Sequence, residues 1–227
     1  MEFLTDRDKE ILKLMSVFNG KTYIEVLAST LWYGFKSPDL QARNRMTKLA
    51  KKYSLFLHKK TGLASPRSAW VLSEYGKEVV RTMFEKNITN ISVSPVTTHH
   101  NIMEQITFFW LDKLGKKPKR TIVKKWSADH KHTPDLLYFK GDELIYVEIE
   151  KTFKSAGAYN GIFAAMIQDK ILKVLYVVEN EARVEQFARA LPNSEKIMLV
   201  SVEALVNAAQ NGKIGAVSQK AALSKSK

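Results

Sequence analysis

Cysteine is missing from all 227 residues, and proline and glycine are sparse at 6 and 10. Without thiols the chain has no disulfide, no thiolate nucleophile and no cysteine zinc site, so its chemistry must come from carboxylates, histidines, lysines or hydroxyls. That lack fits a reducing cytoplasm. No apolar run approaches the roughly 20 residues that span a bilayer, and Met1–Glu10 mixes acids with bases where a signal peptide would be oily. The expectation is a cytoplasmic protein, neither secreted nor inserted in a membrane. A content of 45% hydrophobic and 10% aromatic residues excludes wholesale disorder, and the length favours two small domains.

Acids are also in short supply. Asp and Glu total 23 against 36 Lys and Arg, a net charge of +13 with pI near 9.7. A polyanion is the usual partner of such a chain. The excess of bases holds on both sides of residue 90, so a basic tail does not account for it, and each half is expected to touch nucleic acid. A membrane surface is the minor alternative.

The amino-terminal region reads as three helices and a hairpin. Thr5 caps the first helix, with Asp8 completing a capping box, and Ile11, Leu12, Leu14, Met15 and Phe18 repeat at helical spacing up to Asn19-Gly20. A second helical pattern runs from Ile24 to near Gly34. A third starts after Ser37-Pro38, with Ser37 as cap, and places Leu40, Met46 and Leu49 on its apolar face until about Tyr53. Arg43, Arg45, Lys48, Lys51 and Lys52 gather on the other side. Two extended segments, Ser54–Lys59 and Ala69–Ser73, flank a loop with Lys59, Lys60 and Arg67. This is the pattern of a winged helix over residues 1–84, in which the third helix enters the major groove and the hairpin reaches the flanking backbone. Use of the same fold for dimerisation or protein docking is the alternative.

Residues 85–98 read as a linker. A helix over Asn101–Leu114 opens a second domain, 99–210, followed by a run of bases from Lys113 to Lys131 that a single acid, Asp129, interrupts. Ile122, Val123 and Trp126 predict a strand there, with Lys124 and Lys125 as contacts to a nucleic-acid backbone. Extended segments at Pro134–Lys140, Leu144–Lys151, Val174–Val178 and Ile197–Val202 alternate with helices at Ala156–Ile171 and Ala182–Ala190, before a short helix ending by Gln210. The tail, 211–227, lacks periodicity.

Within this domain, Gly141-Asp142 suits a two-residue hairpin turn. Pairing Lys140 with Glu143 and Phe139 with Leu144 then brings Asp135 opposite Glu148. Like charges facing each other across a ladder destabilise it unless something positive sits between them. Side-chain alternation puts Glu150 on the same face as Glu148, so Asp135, Glu148 and Glu150 form a candidate oxygen ligand set for Mg²⁺ or Mn²⁺.

Pro134-Asp135 followed by Glu148-x-Glu150-Lys151, in a helix, three strands, helix, strand order, resembles the restriction-endonuclease-like nuclease core, whose signature is Pro-Asp and then Asp/Glu-x-Lys. The resemblance covers about residues 99–202 and implies an αβββαβ domain with a mixed sheet. The chain departs from the signature in carrying Glu150 where the family most often has lysine; either Lys151 or Lys154 is then the catalytic cation, with Lys154 favoured because the chain turns back beyond the strand end. Taken with Leu4-Thr5-Asp6-Arg7-Asp8-Lys9-Glu10-Ile11-Leu12, Arg43 in the third helix, and His132-Thr133-Pro134-Asp135 with Val147–Thr152 and Lys154-Ser155, the chain is similar to the plasmid replication-relaxation proteins, including MobC-type mobilisation relaxases. That resemblance implies recognition of a plasmid origin of transfer or replication, double-stranded DNA as partner with single-stranded DNA and a relaxosome accessory protein beside it, and metal-dependent nicking of one strand. A non-catalytic origin-binding accessory factor or transcriptional regulator with a degenerate nuclease core is the alternative.

His132 is a candidate phosphate contact, with His130 beside it. His130-Lys131-His132 is not a histidine-hydrophobic-histidine nicking motif, and His99-His100 carries a weaker expectation. Tyr159 reads as a tyrosine packed on a helix rather than as a nucleophile.

Overall fold

A computed structural model describes residues 4–89, 91–121, 130–171, 173–192, 194–211 and 217–218. It is mixed α/β and divides into two compact units, 1–106 and 107–227. Among the described residues no helix is long and apolar enough to cross a membrane.

In the first unit, α1 (Asp6–Val17) begins with the expected capping box. The Thr5 hydroxyl accepts from the Asp8 backbone N–H, and the Asp8 carboxylate accepts from the Thr5 N–H at 2.8 Å. A short strand β1 (Lys21–Thr22) leads to α2 (Ile24–Ala28), which stops six residues before Gly34 and continues as turns. Helix α3 (Pro38–Tyr53) has the expected span, but Ser37 makes no side-chain cap and adopts φ 58°. Its buried face is Ala42, Met46 and Leu49. Leu40, expected beside them, is 56% exposed.

Strands β2 (Phe56–Lys60) and β3 (Ser68–Leu72) pair antiparallel, and β1 joins β3 to give the sheet order β1-β3-β2. The sequence reading did not anticipate β1 or α4 (Glu74–Phe84). The Ser73 hydroxyl caps α4 by accepting from the Gly76 N–H at 2.9 Å. Ile11, Leu12, Met15, Leu27, Met46, Leu49, Leu55, Trp70 and Val80 form the core of the unit.

The segment read as a linker, 85–98, is only partly extended chain. Ile88 is buried in this same core, the ammonium of Lys21 donates to the Ser92 carbonyl at 3.0 Å, and α5 (Pro95–Lys113) begins within the segment. Ile88, with Ile91 three residues on, was the overlooked signal, because burying one such side chain stabilises by roughly 2 kcal/mol and ties the chain down. The division between units falls after Ile106, inside α5.

The second unit is built on a six-stranded mixed sheet in the order β4-β5-β6-β7-β8-β9: β4 (Lys119–Arg120), β5 (Leu136–Lys140), β6 (Glu143–Glu150), β7 (Lys173–Val178), β8 (Ile197–Ser201) and β9 (Val217–Ser218). Strands β4, β5 and β6 are antiparallel, and β6, β7 and β8 run parallel through the crossover helices α6 (Ala156–Gln168) and α7 (Glu181–Ala190). Helix α8 (Val202–Asn211) follows β8 directly. The strand expected across the basic run is described only at β4; Lys124, Lys125 and Trp126 lie outside the described residues. One core layer joins Tyr146, Tyr176, Val178 and Leu199 of the sheet to Tyr159 and Met166 of α6 and Phe187 of α7.

Candidate active site

The β5–β6 hairpin has the register read from its turn. Lys140 faces Glu143, Phe139 faces Leu144 and Leu136 faces Val147, about a Gly141 that takes φ 62°. Only glycine enters that region without a steric penalty, which is why the turn begins there. Asp135 stands one residue before β5. Its carboxylate accepts the backbone N–H of Ile149 at 2.8 Å, so it reaches the residue between Glu148 and Glu150. Upstream, the Thr121 hydroxyl donates to the Pro134 carbonyl.

Glu148 and Glu150 are both buried, at 7% and 3% exposure, on the face of the sheet that packs against α6 and α7. A buried carboxylate needs partners, because desolvation costs several kcal/mol per ion. Glu148 takes the ring Nε2 of His132 at 2.8 Å, and Glu150 takes the ammonium of Lys154. Burial first of all, then the charges of Asp135 and Glu150, push the Glu148 carboxyl up to about 7 despite His132. Burial by itself would lower His132, but the hydrogen bond and charge of Glu148, with Asp135 and Asp169, hold it above its ordinary value. The three acids therefore sense one another through space. Their oxygens nevertheless point to separate partners, and among the described residues no three His, Asp or Glu side chains close on a common point. The full convergence expected from the register is thus only partly present, because a backbone amide, an imidazole and an ammonium occupy the carboxylates.

Lys154 comes from the loop between β6 and α6. Its backbone N–H donates to the Tyr159 hydroxyl at 3.2 Å, and its ammonium lies 5.6 Å from the Tyr159 ring centre. Lys151 is half-buried, and its carbonyl accepts from Arg183 of α7. Tyr159 is fully buried among Tyr176 and Phe187, and burial raises its hydroxyl pKa, as a packed tyrosine requires and a nucleophile does not. Tyr176 stands beside Glu148 on the neighbouring strand, and its buried hydroxyl has no hydrogen-bond partner among the described residues.

Sequence reasoning missed Asp169. From the end of α6 its carboxylate accepts the backbone N–H groups of Lys131, at 2.8 and 3.0 Å, and of His132, at 3.1 Å, and so aims His132 at Glu148. An acid just past a helix end is an unfavourable place for a negative charge, and that anomaly was the only available signal.

In the first unit, Arg43, Lys48, Lys52, Lys59, Lys60 and Arg67 are exposed. Arg45 is not available in the same way. Its Nε donates to Asp8 at 2.7 Å and its Nη2 donates to the other Asp8 oxygen, with Asp8 1% exposed. Arg45 thus fastens α3 to α1. Lys59 donates to the Ile91 carbonyl at 2.7 Å.

No family model, no curated protein and no solved structure matches the chain.

Proposed function

We propose that the chain is a metal-dependent, site-specific DNA-nicking endonuclease of the mobilisation-relaxase type, with a winged-helix unit for binding duplex DNA and a restriction-endonuclease-like unit for cutting it. The observation that carries this reading is the buried pair Glu148 and Glu150 with Asp135 hydrogen-bonded between them. Buried acids with a carboxyl raised to about 7 are unfavourable as anions and gain from a divalent cation. The oxygen donors fit Mg²⁺ or Mn²⁺, and the Tyr176 hydroxyl, without a hydrogen-bond partner among the described residues, leaves a group for a bound water.

Asp135, Glu148 and Glu150 would hold the ion, which when bound supplies activation of a water and neutralisation of charge on the attacked phosphate. Lys154 contributes a cation that exchanges Glu150 for a phosphate oxygen, and Tyr159 sets its backbone. His132 holds Glu148 in place and gains a proton more readily than an ordinary histidine. The exposed lysines of α3 and the bases of the β2–β3 hairpin follow the duplex backbone.

The test is conversion of supercoiled origin plasmid to the open circle with Mg²⁺ or Mn²⁺. Asp135→Ala and Glu148→Ala should each abolish it; unchanged cutting would remove the site assignment. A second reading, an origin-binding accessory factor with a degenerate core, is favoured by one observation: His132 and Lys154 already occupy the two glutamates as hydrogen-bond partners. Specific binding without cleavage under either metal selects it.

A further inference from the structure

Helix α3 turns one continuous stripe outward. Stepping about 100° per residue, Leu40, Arg43, Asn44, Thr47, Lys48 and Lys51 fall within about 80° of one line, opposite the buried Ala42, Met46 and Leu49. Five of the six are exposed and Thr47 is half-buried. Arg45 falls toward the core side, where Asp8 holds it.

The content of the stripe is unlike a merely solvated face. Helix α4 shows what such a face looks like: Lys77 pairs with Glu74 at 2.7 Å and Arg81 with Glu78 at 2.5 Å. Helix α3 has a single acid, Asp39, and among the described residues Arg43, Lys48 and Lys51 make no ion pair. Its outward face is therefore complementary to a polyanion. An exposed leucine is common by itself. Here it lies in line with a guanidinium fork, a carboxamide and a threonine methyl. These are the groups that read a thymine methyl, a guanine edge and an adenine edge in the major groove. The hairpin adjoins the same side: the charge of Arg43, after burial, lowers the pKa of His58 on β2.

We infer that Leu40, Arg43, Asn44 and Thr47 read base edges in the major groove of duplex DNA, while Lys48 and Lys51 contact the flanking phosphates. This rests on the DNA-binding half of the proposed function and is independent of the nuclease half. Leu40 to Thr47 spans about 10 Å at about 1.5 Å per residue, so the reading stretch covers about three base pairs.

The experiment selects from a pool of random 20-base-pair duplexes with the full chain in EDTA, followed by affinity measurement on the selected and a scrambled duplex. Enrichment of a core of about three to four base pairs is expected for the native chain. Asn44→Ala and Leu40→Ala should weaken the selected duplex by about 5- to 150-fold, leave the scrambled one unchanged and relax the preference at one position each. Lys48→Ala should weaken both duplexes alike. The inference falls if Asn44→Ala and Leu40→Ala enrich the native motif, or weaken both duplexes equally while circular dichroism shows a native fold. Failure to retain any duplex removes the DNA-binding reading as well. Discrimination that persists in a chain unable to nick plasmid upholds the inference and removes the nuclease reading alone.

Discussion

Asp8 in the first unit and Glu148 in the second are both buried carboxylates with a basic partner, yet burial acts on them with opposite results. For Asp8, burial pushes the carboxyl up, but the bidentate Arg45 and the Thr5 hydroxyl and amide outweigh it and hold it below the ordinary value. For Glu148, burial is met by one imidazole and aggravated by Asp135 and Glu150, and the carboxyl rises to about 7. The first acid is satisfied as an anion and serves to join α1 to α3. The second is an anion short of positive charge, the condition in which a site gains by binding a cation. Burial alone therefore does not decide how readily an acid holds its charge; the number and sign of its neighbours do.

The widest separation between the two should appear in activity. Glu148→Gln should lower metal-dependent nicking by at least about 100-fold, the scale for losing one charge-stabilising group, while leaving the unfolding midpoint at pH 8 unchanged or higher. A lowered midpoint with retained nicking would reverse the assignment. Next comes stability: Arg45→Ala strands Asp8 without its partner and should cost about 3–5 kcal/mol in urea unfolding, with much of it recovered in the double variant Asp8→Leu, Arg45→Met. A loss below about 1 kcal/mol would show that the pair does not hold the helices together.

The two acids should also bend the pH profile of stability in opposite senses. Asp8 has a lowered value in the folded state, so its contribution is complete above the ordinary carboxylate range and is lost as the pH falls through that lowered value. Glu148 has a raised one, so the folded metal-free chain binds more protons than the unfolded chain and loses stability as the pH climbs from the ordinary carboxylate range to about 7. His132, also raised, acts in the same direction near neutrality. Unfolding midpoints measured in EDTA from pH 3 to pH 8 should show both slopes, and Glu148→Gln should flatten only the upper one. The smallest effect belongs to the surface bases. Lys60→Ala or Arg67→Ala should weaken binding severalfold on any duplex and reduce the slope of log affinity against log salt by about 1.

Local rules were sufficient for much of this. The span of α3 follows from Pro38 and the apolar repeat, and the hairpin register follows from Gly141-Asp142, because both depend on neighbours in the chain. What could not be read from local patterns depends on distant partners. Arg45 looked like the other bases of α3 because its partner lies 37 residues away and had a sufficient local role in the capping box. Leu40 fits a helical apolar pattern, yet near the start of the helix it is left more than half exposed. Ile88 lies in a stretch without helical or strand periodicity, and α4 went unrecognised although Ser73 caps it. For the site, the chain predicted that Asp135 and Glu148 would be neighbours, but only coordinates place Lys154 on Glu150 and His132 on Glu148.

Asp169 joins the chain before the hairpin to the chain after it, across a separation of 38 residues. Strands β5 and β6 and helix α6 all lie within the loop it closes. Losing those amide bonds frees a long loop at once, with an entropy gain that grows only slowly with its length. The Lys131–His132 segment and the end of α6 are thus the two halves of a clasp, and the placement of His132 against Glu148 is held in part from beyond the far end of that loop.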